Sequence, residues 1–354
     1  MASKSRLPGR WIDPIFWGSH CPAASRLGPG KFRSGQFQPG QFQPGRSRPR
    51  LAGDVRIVVI SDLNSQYGAT TYEPEVAQAI ALIPDLGPDF VLAGGDMIAG
   101  QKRELSNGQV QAMWDSFDRV IRRPLDLAQI PFGFTMGNHD GSGAVSGGQL
   151  TFARDRAIAS DYWNRINPAL PFIDRAQFPF YYSFLQDQVF YLVWDASTAQ
   201  LDQQQLAWVE QQLASEPSQS AKARLVIGHL PLYPVAVNRD RPGEFLNNAD
   251  QLQQLLERYK VQAYISGHNH AYYPGRSGPL ELLNAGALGG GPRQLLGSDL
   301  APYKTLTIID LFWQPVVRQR YTTYRLPELS VVDITTLPAS IVSEYGTLRR
   351  YDLE

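Results

Sequence analysis

Four of the chain's five histidines fall in short polar strings: Gly137-Asn138-His139-Asp140, Gly228-His229 and Gly267-His268-Asn269-His270; the fifth is His20. Two further strings, Ser61-Asp62-Leu63-Asn64 and Gly94-Gly95-Asp96, add carboxylates. A lone histidine is usually a packing or surface residue, but four set among aspartates and glycines point to metal chemistry. Aspartate and neutral imidazole together suit Zn, Mn or Fe, whereas an all-oxygen cage suits Ca or Mg. The chemistry that fits is a pair of metal ions sharing one carboxylate. Two ions ~3.5 to 4 Å apart clamp the attacking and leaving oxygens of an in-line displacement at phosphorus. Asp96 is the candidate bridge, because Gly94 and Gly95 let the backbone approach without a side chain in the way. A single cysteine, Cys21, excludes an internal disulfide and a thiolate zinc cluster.

Such strings must be brought together by regular elements, and each follows a short apolar run. Residues 56–60, 89–93, 132–136, 224–227 and 261–265 read as buried strands. Between them, Val76, Ala79, Ile80 and Ile83 keep helical spacing, as do Val110, Met113, Trp114, Phe117 and Ile121. Leu206, Val209 and Leu213, and Leu252, Leu255, Leu256 and Tyr259, predict two more helices. Residues 181–185 and 189–194 flank Gln186-Asp187-Gln188 as a hairpin, and 280–283, 305–311 and 316–321 read as further strands. Residues 141–179 read as an irregular excursion over the site. The fold class is a layered α/β domain with mixed sheets. Loops beyond the carboxyl ends of its strands converge on one crevice, so strings far apart in sequence can meet.

The ordered set Asp62, Gly95-Asp96, Gly137-Asn138-His139-Asp140, Gly228-His229 and Gly267-His268-Asn269-His270 resembles the calcineurin-like metallophosphoesterase family over roughly residues 55–322. The resemblance implies a four-layer α/β/β/α sandwich of two mixed sheets flanked by helices. It implies a first metal held by Asp62, Asp96 and His270, and a second held by Asp96, Asn138, His229 and His268. It also implies hydrolysis of a phosphomonoester or phosphodiester by in-line attack of a metal-bound hydroxide, with no phosphoenzyme. His139, beside Asn138, is then the proposed general acid, with Asp140 fixing its orientation; the alternative is that His139 only orients the ligands.

Two positions depart from the family pattern. Asn64 stands where a histidine is usual, and it either coordinates through its amide oxygen or makes a turn hydrogen bond. An amide oxygen is a weaker donor to Zn or Fe, so the first site tilts toward Mn or Mg. Ala99, three residues after Asp96, stands where purple acid phosphatases place a metal-binding tyrosine, which sets the chain apart from that type. Tyr233 and Arg293 are further candidates for phosphate contact, and Tyr162, Trp163, Phe172 and Phe178 for either a substrate pocket or loop core. Against the enzyme stands a second reading, a catalytically weak metal-binding interaction module built on the same fold.

Composition bounds the rest. The 354 residues are 43% hydrophobic and 19% charged, enough for a large core. The formal net charge is zero, but residues 1–53 hold nine Lys or Arg against Asp13 alone, a balance of +8 that leaves −8 on the remainder. That Gly-, Pro- and Gln-rich segment is expected to be disordered, with weak nucleic-acid or anionic-surface contact as its candidate role. The domain is expected over 54–325, followed by a C-terminal extension, 326–354. No apolar run approaches the ~18 residues of a membrane-spanning helix. No leader-like apolar stretch is visible, so a cytoplasmic location is expected.

Overall fold

The computed structural model describes residues 53–353. The basic segment assigned to 1–53 therefore lies, but for Gly53, outside the described residues.

Two sheets form the centre. The first has six strands, in the order Ser330–Val331, Arg318–Leu326, Lys304–Phe312, β1 (Val55–Ile60), β2 (Phe90–Ala93) and β3 (Phe132–Phe134). β1, β2 and β3 run parallel, and Lys304–Phe312 closes against β1 antiparallel, with Arg56 opposite Asp310. β1 and β2 are apolar almost without interruption, as strands covered on both faces must be. The second sheet has nine strands. At its middle Val189–Val193, Ala223–Ile227, Ala263–Ser266 and Leu280–Ala285 lie parallel. The hairpin Tyr181–Gln186/Val189–Val193 extends it on one side, as its central polar triplet predicts.

Aromatic rings fill the space between the sheets. Phe90 of β2 meets Phe184 and Tyr191 of the second sheet at 5.6 and 5.3 Å between ring centroids, and Phe134 of β3 meets Tyr182 at 5.7 Å. Helix Pro74–Leu86 buries Val76, Ala79, Ile80 and Ile83, the face its spacing predicts. Gly87, with φ +60°, ends it in the left-handed cap that glycine adopts most readily. Helix Asn107–Phe117 begins with a capping box between Ser106 and Gln109.

The structure departs from expectation at 141–179 and adds elements that the spacing does not predict. Residues 141–179 are not an irregular excursion: they contain the 14-residue helix Ala153–Ile166 and the edge strand Phe172–Gln177. Trp114 stacks on Tyr162 at 4.7 Å and meets Trp163 edge-on, so these aromatics are core between two helices and shape no pocket over the site. The strand Tyr272–Ser277 forms although its Pro274 and Gly275 disfavour strand structure. Finally, residues 326–353 add strands to both sheets: Ser330–Val331 edges the first, and the hairpin Ser340–Ser343/Gly346–Arg350 edges the second.

Candidate metal centre

The five strings do converge, because β1 to β3 and the parallel strands Ala223–Ile227 and Ala263–Ser266 all send their carboxyl ends to one place. Backbone hydrogen bonds sew the loops to each other: Asp62 N–H donates to Gly95 O at 3.0 Å, and Gly267 N–H to His229 O at 3.0 Å. Closeness is bought with glycine at two points. A Cβ on Gly95, which has φ +93°, would fall 2.6 Å from the His229 ring, and one on Gly267 would fall 2.5 Å from an Asp62 carboxylate oxygen. Asp62, Asp96, His268 and His270 themselves have φ of 52°, 54°, 61° and 54°. Non-glycine residues in the left-handed region cost free energy and cluster where function demands the geometry.

Asp62, Asp96 and His229 each bring a ligand atom within 4.8 Å of the other two, all buried. His270 Nε2 lies 3.2 Å from Asp62 Oδ1. Asn138 Oδ1 lies 3.0 Å from both His229 Nε2 and His268 Nδ1. Six of the seven expected ligands are thus joined by short contacts into one cluster. The seventh position, Asn64, is buried, and its backbone is pinned to Asp96 O and Gly290 N. Its side-chain amide finds no hydrogen-bond partner among the described residues.

The outer nitrogen of each histidine shows what the inner one can do. His229 Nδ1 is 2.8 Å from Gly94 O and His270 Nδ1 is 3.0 Å from Gly291 O. A carbonyl only accepts, so both Nδ1 atoms carry hydrogen and both Nε2 atoms keep a lone pair in the neutral ring. His268 Nε2 is 3.0 Å from Glu244, an acceptor-only carboxylate held well below the usual range by His268 and Arg239 against its partial burial, which leaves the His268 Nδ1 lone pair facing Asn138. Three imidazole lone pairs, an amide oxygen and two carboxylates therefore point at one another. Such a donor set repels itself unless cations or protons sit inside it, and its residues fit a pair of metal ions. The charges agree. Burial works to raise the Asp62 carboxyl, yet His270 and His229 hold it below its ordinary value, and Asp96 is held lower still by His229 and His139. His229 is pushed up to about 9, the Asp96 and Asp62 charges overcoming its burial.

His139 lies at the rim. Its Nδ1 donates to Gly100 O at 3.2 Å, its Nε2 lies 3.8 Å from Asp96 Oδ2, and Tyr67 packs on the ring at 4.9 Å. Asp140 does not touch that ring. It is fully buried, and it accepts Met97 and Ile98 N–H on one oxygen and Gly137 N–H on the other, tying the Asp96 loop to the Asn138 loop. Orientation of His139 thus comes from Gly100 and Tyr67. Tyr233 turns away, its hydroxyl donating to Asp250 at 2.7 Å. A cleft of about 460 Å³ opens over the cluster, lined by Tyr67, Gln101, His139, Ser197, Arg239 and Glu244.

Sequence reasoning missed Glu244 and Gln101. Gln101 Oε1 accepts the Asn138 amide N–H at 2.6 Å and so turns Asn138 Oδ1 inward. Neither residue stands in a string that ends a strand; the one available signal was the charge density of Arg239-Asp240-Arg241-Pro242-Gly243-Glu244.

The pattern of the calcineurin-like phosphoesterase family matches residues 55–272, and the chain belongs to that family. It is 29% identical over 238 residues to tartrate-resistant acid phosphatase type 5 of Sus scrofa, covering 61% of this chain and 64% of that protein. It is 25% identical over 169 residues to Fe(3+)-Zn(2+) purple acid phosphatase 12 of Arabidopsis thaliana, covering 45% and 32%. The chain thus spans less than two thirds of these relatives. Among solved structures it resembles purple acid phosphatase PPD1 of yellow lupin (Lupinus luteus), with TM-score 0.54, 18% identity and coverage of 79% of this chain and 52% of that one. It also resembles a dimetal phosphatase from Danio rerio, with TM-score 0.52, 14% identity and coverage of 80% and 99%. These two likenesses concern the fold. Distant overall similarity thus reaches the purple acid phosphatases that Ala99 sets apart by one position.

Proposed function

We propose that this protein hydrolyses phosphoesters at the Asp62/Asp96 cluster, with two metal ions as cofactor. One observation carries the reading: three histidines whose outer nitrogens are spoken for by Gly94 O, Gly291 O and Glu244 aim their inner lone pairs at two buried aspartates and an amide oxygen. Bound there, a pair of ions supplies Lewis acidity and an activated water for in-line attack at phosphorus. Asp62 and His270 would hold one ion, with Asn64 as the remaining oxygen donor; Asn138, His229 and His268 would hold the other, and Asp96 both. Mn, Fe and Zn suit this mixed set, and the Fe(3+)-Zn(2+) relative uses two of them.

The chain's own residues do the rest. His139 keeps one proton on Nδ1 against Gly100 O, so its Nε2, facing the cluster, is the atom that holds a second proton and hands it to the leaving oxygen. Tyr67 packs against the ring at a tilt of 38° and covers part of one face. Gln101 keeps Asn138 from rotating. The competing reading, a metal-binding interaction module, gives no use for a histidine so placed.

Stripping the protein with chelator and adding back Mn, Zn or Fe separates the two readings. Hydrolysis of p-nitrophenyl phosphate or bis(p-nitrophenyl) phosphate is expected to vanish on stripping and return with metal. Metal uptake with no turnover of either ester would favour the interaction module.

A further inference from the structure

Arg239 lines the cleft above the cluster and holds no ligand position there. Residues 236–237 pair with 294–295: Ala236 bridges Leu295 antiparallel, and Val237 N–H donates to Gln294 O at 2.9 Å. This pairing sets Arg239, two residues beyond one strand, beside Arg293, one residue before the other. Arg293 is also tied to the cluster, since its N–H donates to His270 O at 2.9 Å.

Among the described residues one acid serves this corner at salt-bridge distance, and it is committed elsewhere. Glu244 Oε2 takes the His268 N–H and pairs with Arg239, while its Oε1 lies 3.1 Å from Arg241. Neighbouring Asp240 is exposed. The Nε atoms of both Arg239 and Arg293 are buried with no hydrogen-bond partner among the described residues, and Arg293 pairs with none of their acids. Leaving a buried guanidinium N–H unmet is costly. Two guanidiniums, Arg239 and Arg241, share one carboxylate, and Arg293, set near Arg239 by the backbone pairing, has no acid among the described residues; the surplus positive charge describes a site for an incoming anion.

Placement says which anion. Arg239 Nη1 stands 3.2 Å from His268 Nε2, the outer nitrogen, with the imidazole between it and the cluster. A phosphoryl group held at the cluster sits on the inner side of that ring. We propose that Arg239 and Arg293 bind a second anionic group of the substrate, one removed from the phosphoryl group that is cleaved, so that the preferred substrates are phosphoesters bearing another phosphate. The proposal rests on the phosphoesterase reading for which group is cleaved; the anion site itself does not.

The test compares ligands that differ by one phosphate. Binding of methylenebisphosphonate and methylphosphonate to the metal-loaded protein is measured by calorimetry, and turnover of propane-1,3-diyl bisphosphate is measured against propyl phosphate. The native protein is expected to favour the doubly charged member of each pair by about tenfold or more, the scale of one or two charge-assisted hydrogen bonds. Arg293→Gln, which breaks no ion pair, should bring the ratio of affinities toward one, and Arg293→Lys should restore part of it. Arg239→Gln should also reduce the ratio. The proposal is overturned if the native protein shows no preference, if the preference survives both glutamine variants, or if Arg293→Gln weakens both phosphonates equally. Should no phosphoester be hydrolysed while the bisphosphonate preference still depends on Arg293, the phosphoesterase reading fails and the anion site stands.

Discussion

The two ends of β1 place buried aspartates in opposite circumstances. Near its amino end, Asp310 of the neighbouring strand accepts Arg56 Nε at 2.8 Å, Arg320 Nη2 at 2.8 Å and Gly53 N–H at 3.2 Å. Every charge there is answered within the chain. Just past its carboxyl end, Asp62 and Asp96 receive backbone amides, the Ser61 hydroxyl and imidazole nitrogens, with no lysine or arginine paired to either among the described residues. Burial at one end is complete as folded; at the other it is complete only with something added. A sealed ion pair stabilises, or at least specifies, a fold, while an unsealed one binds.

Breaking the open end should have the largest effect. Asp96→Asn removes the carboxylate proposed to be shared by two ions, and metal content by elemental analysis and phosphoester turnover are expected to be lost together. Two ions retained in that variant would overturn the bridging role. Next, His139→Ala should keep both ions and slow turnover by roughly 10² to 10⁴, the range of general acid catalysis, with the larger loss on the poorer leaving group. Equal losses on good and poor leaving groups would argue against proton transfer by His139.

The closed end should respond in stability alone. Asp310→Ala strands Arg56 in a nearly dry place and is expected to cost about 3 kcal/mol in urea unfolding, as broken buried pairs do, with turnover per folded molecule unchanged. Replacing both partners, Arg56→Met with Asp310→Leu, should recover most of that loss, whereas no second substitution rescues Asp96→Asn. The two ends also differ in pH response. Burial would raise the Asp310 carboxyl, but Arg56, Arg320 and Gly53 hold it below its ordinary value. Its contribution is therefore present above the unfolded carboxylate's pKa of about 4 and lost as pH falls through the lower folded value. At the open end His229, at about 9 without metal, must give up a proton to ligate. Metal uptake near pH 7 should thus release close to one proton per chain from His229, and affinity should rise with pH up to about 9. Calorimetry in buffers of different ionisation heat reads that proton count, and a count of zero would contradict the assignment.

Much of this was legible because it is local in the chain. An apolar run followed by glycine and a ligand is written in consecutive letters, so the strands before Asp62, Asp96, Asn138, His229 and His268 could be placed, and with them the crevice. Helix Ala153–Ile166 escaped because its face of Ala159, Tyr162 and Trp163 is embedded among Arg154, Asp155, Arg156, Asp161 and Arg165, and becomes a core face only against Trp114. Asp140 was read as the partner of its neighbour His139, whereas a short turn sends its carboxylate to Met97, Ile98 and Gly137.

Residue types alone determined that this protein carries a set of carboxylates and imidazoles fit for metal binding, because donor chemistry belongs to side chains and needs no fold to be recognised. The tertiary structure decided how those ligands are used. Glu244 and Gln101 orient His268 and Asn138, Gly100 and Tyr67 hold His139, and Arg293 has no acid partner among the described residues. Hydrogen bonds and charges act over a few ångströms of space, and spacing along the chain carries no record of them.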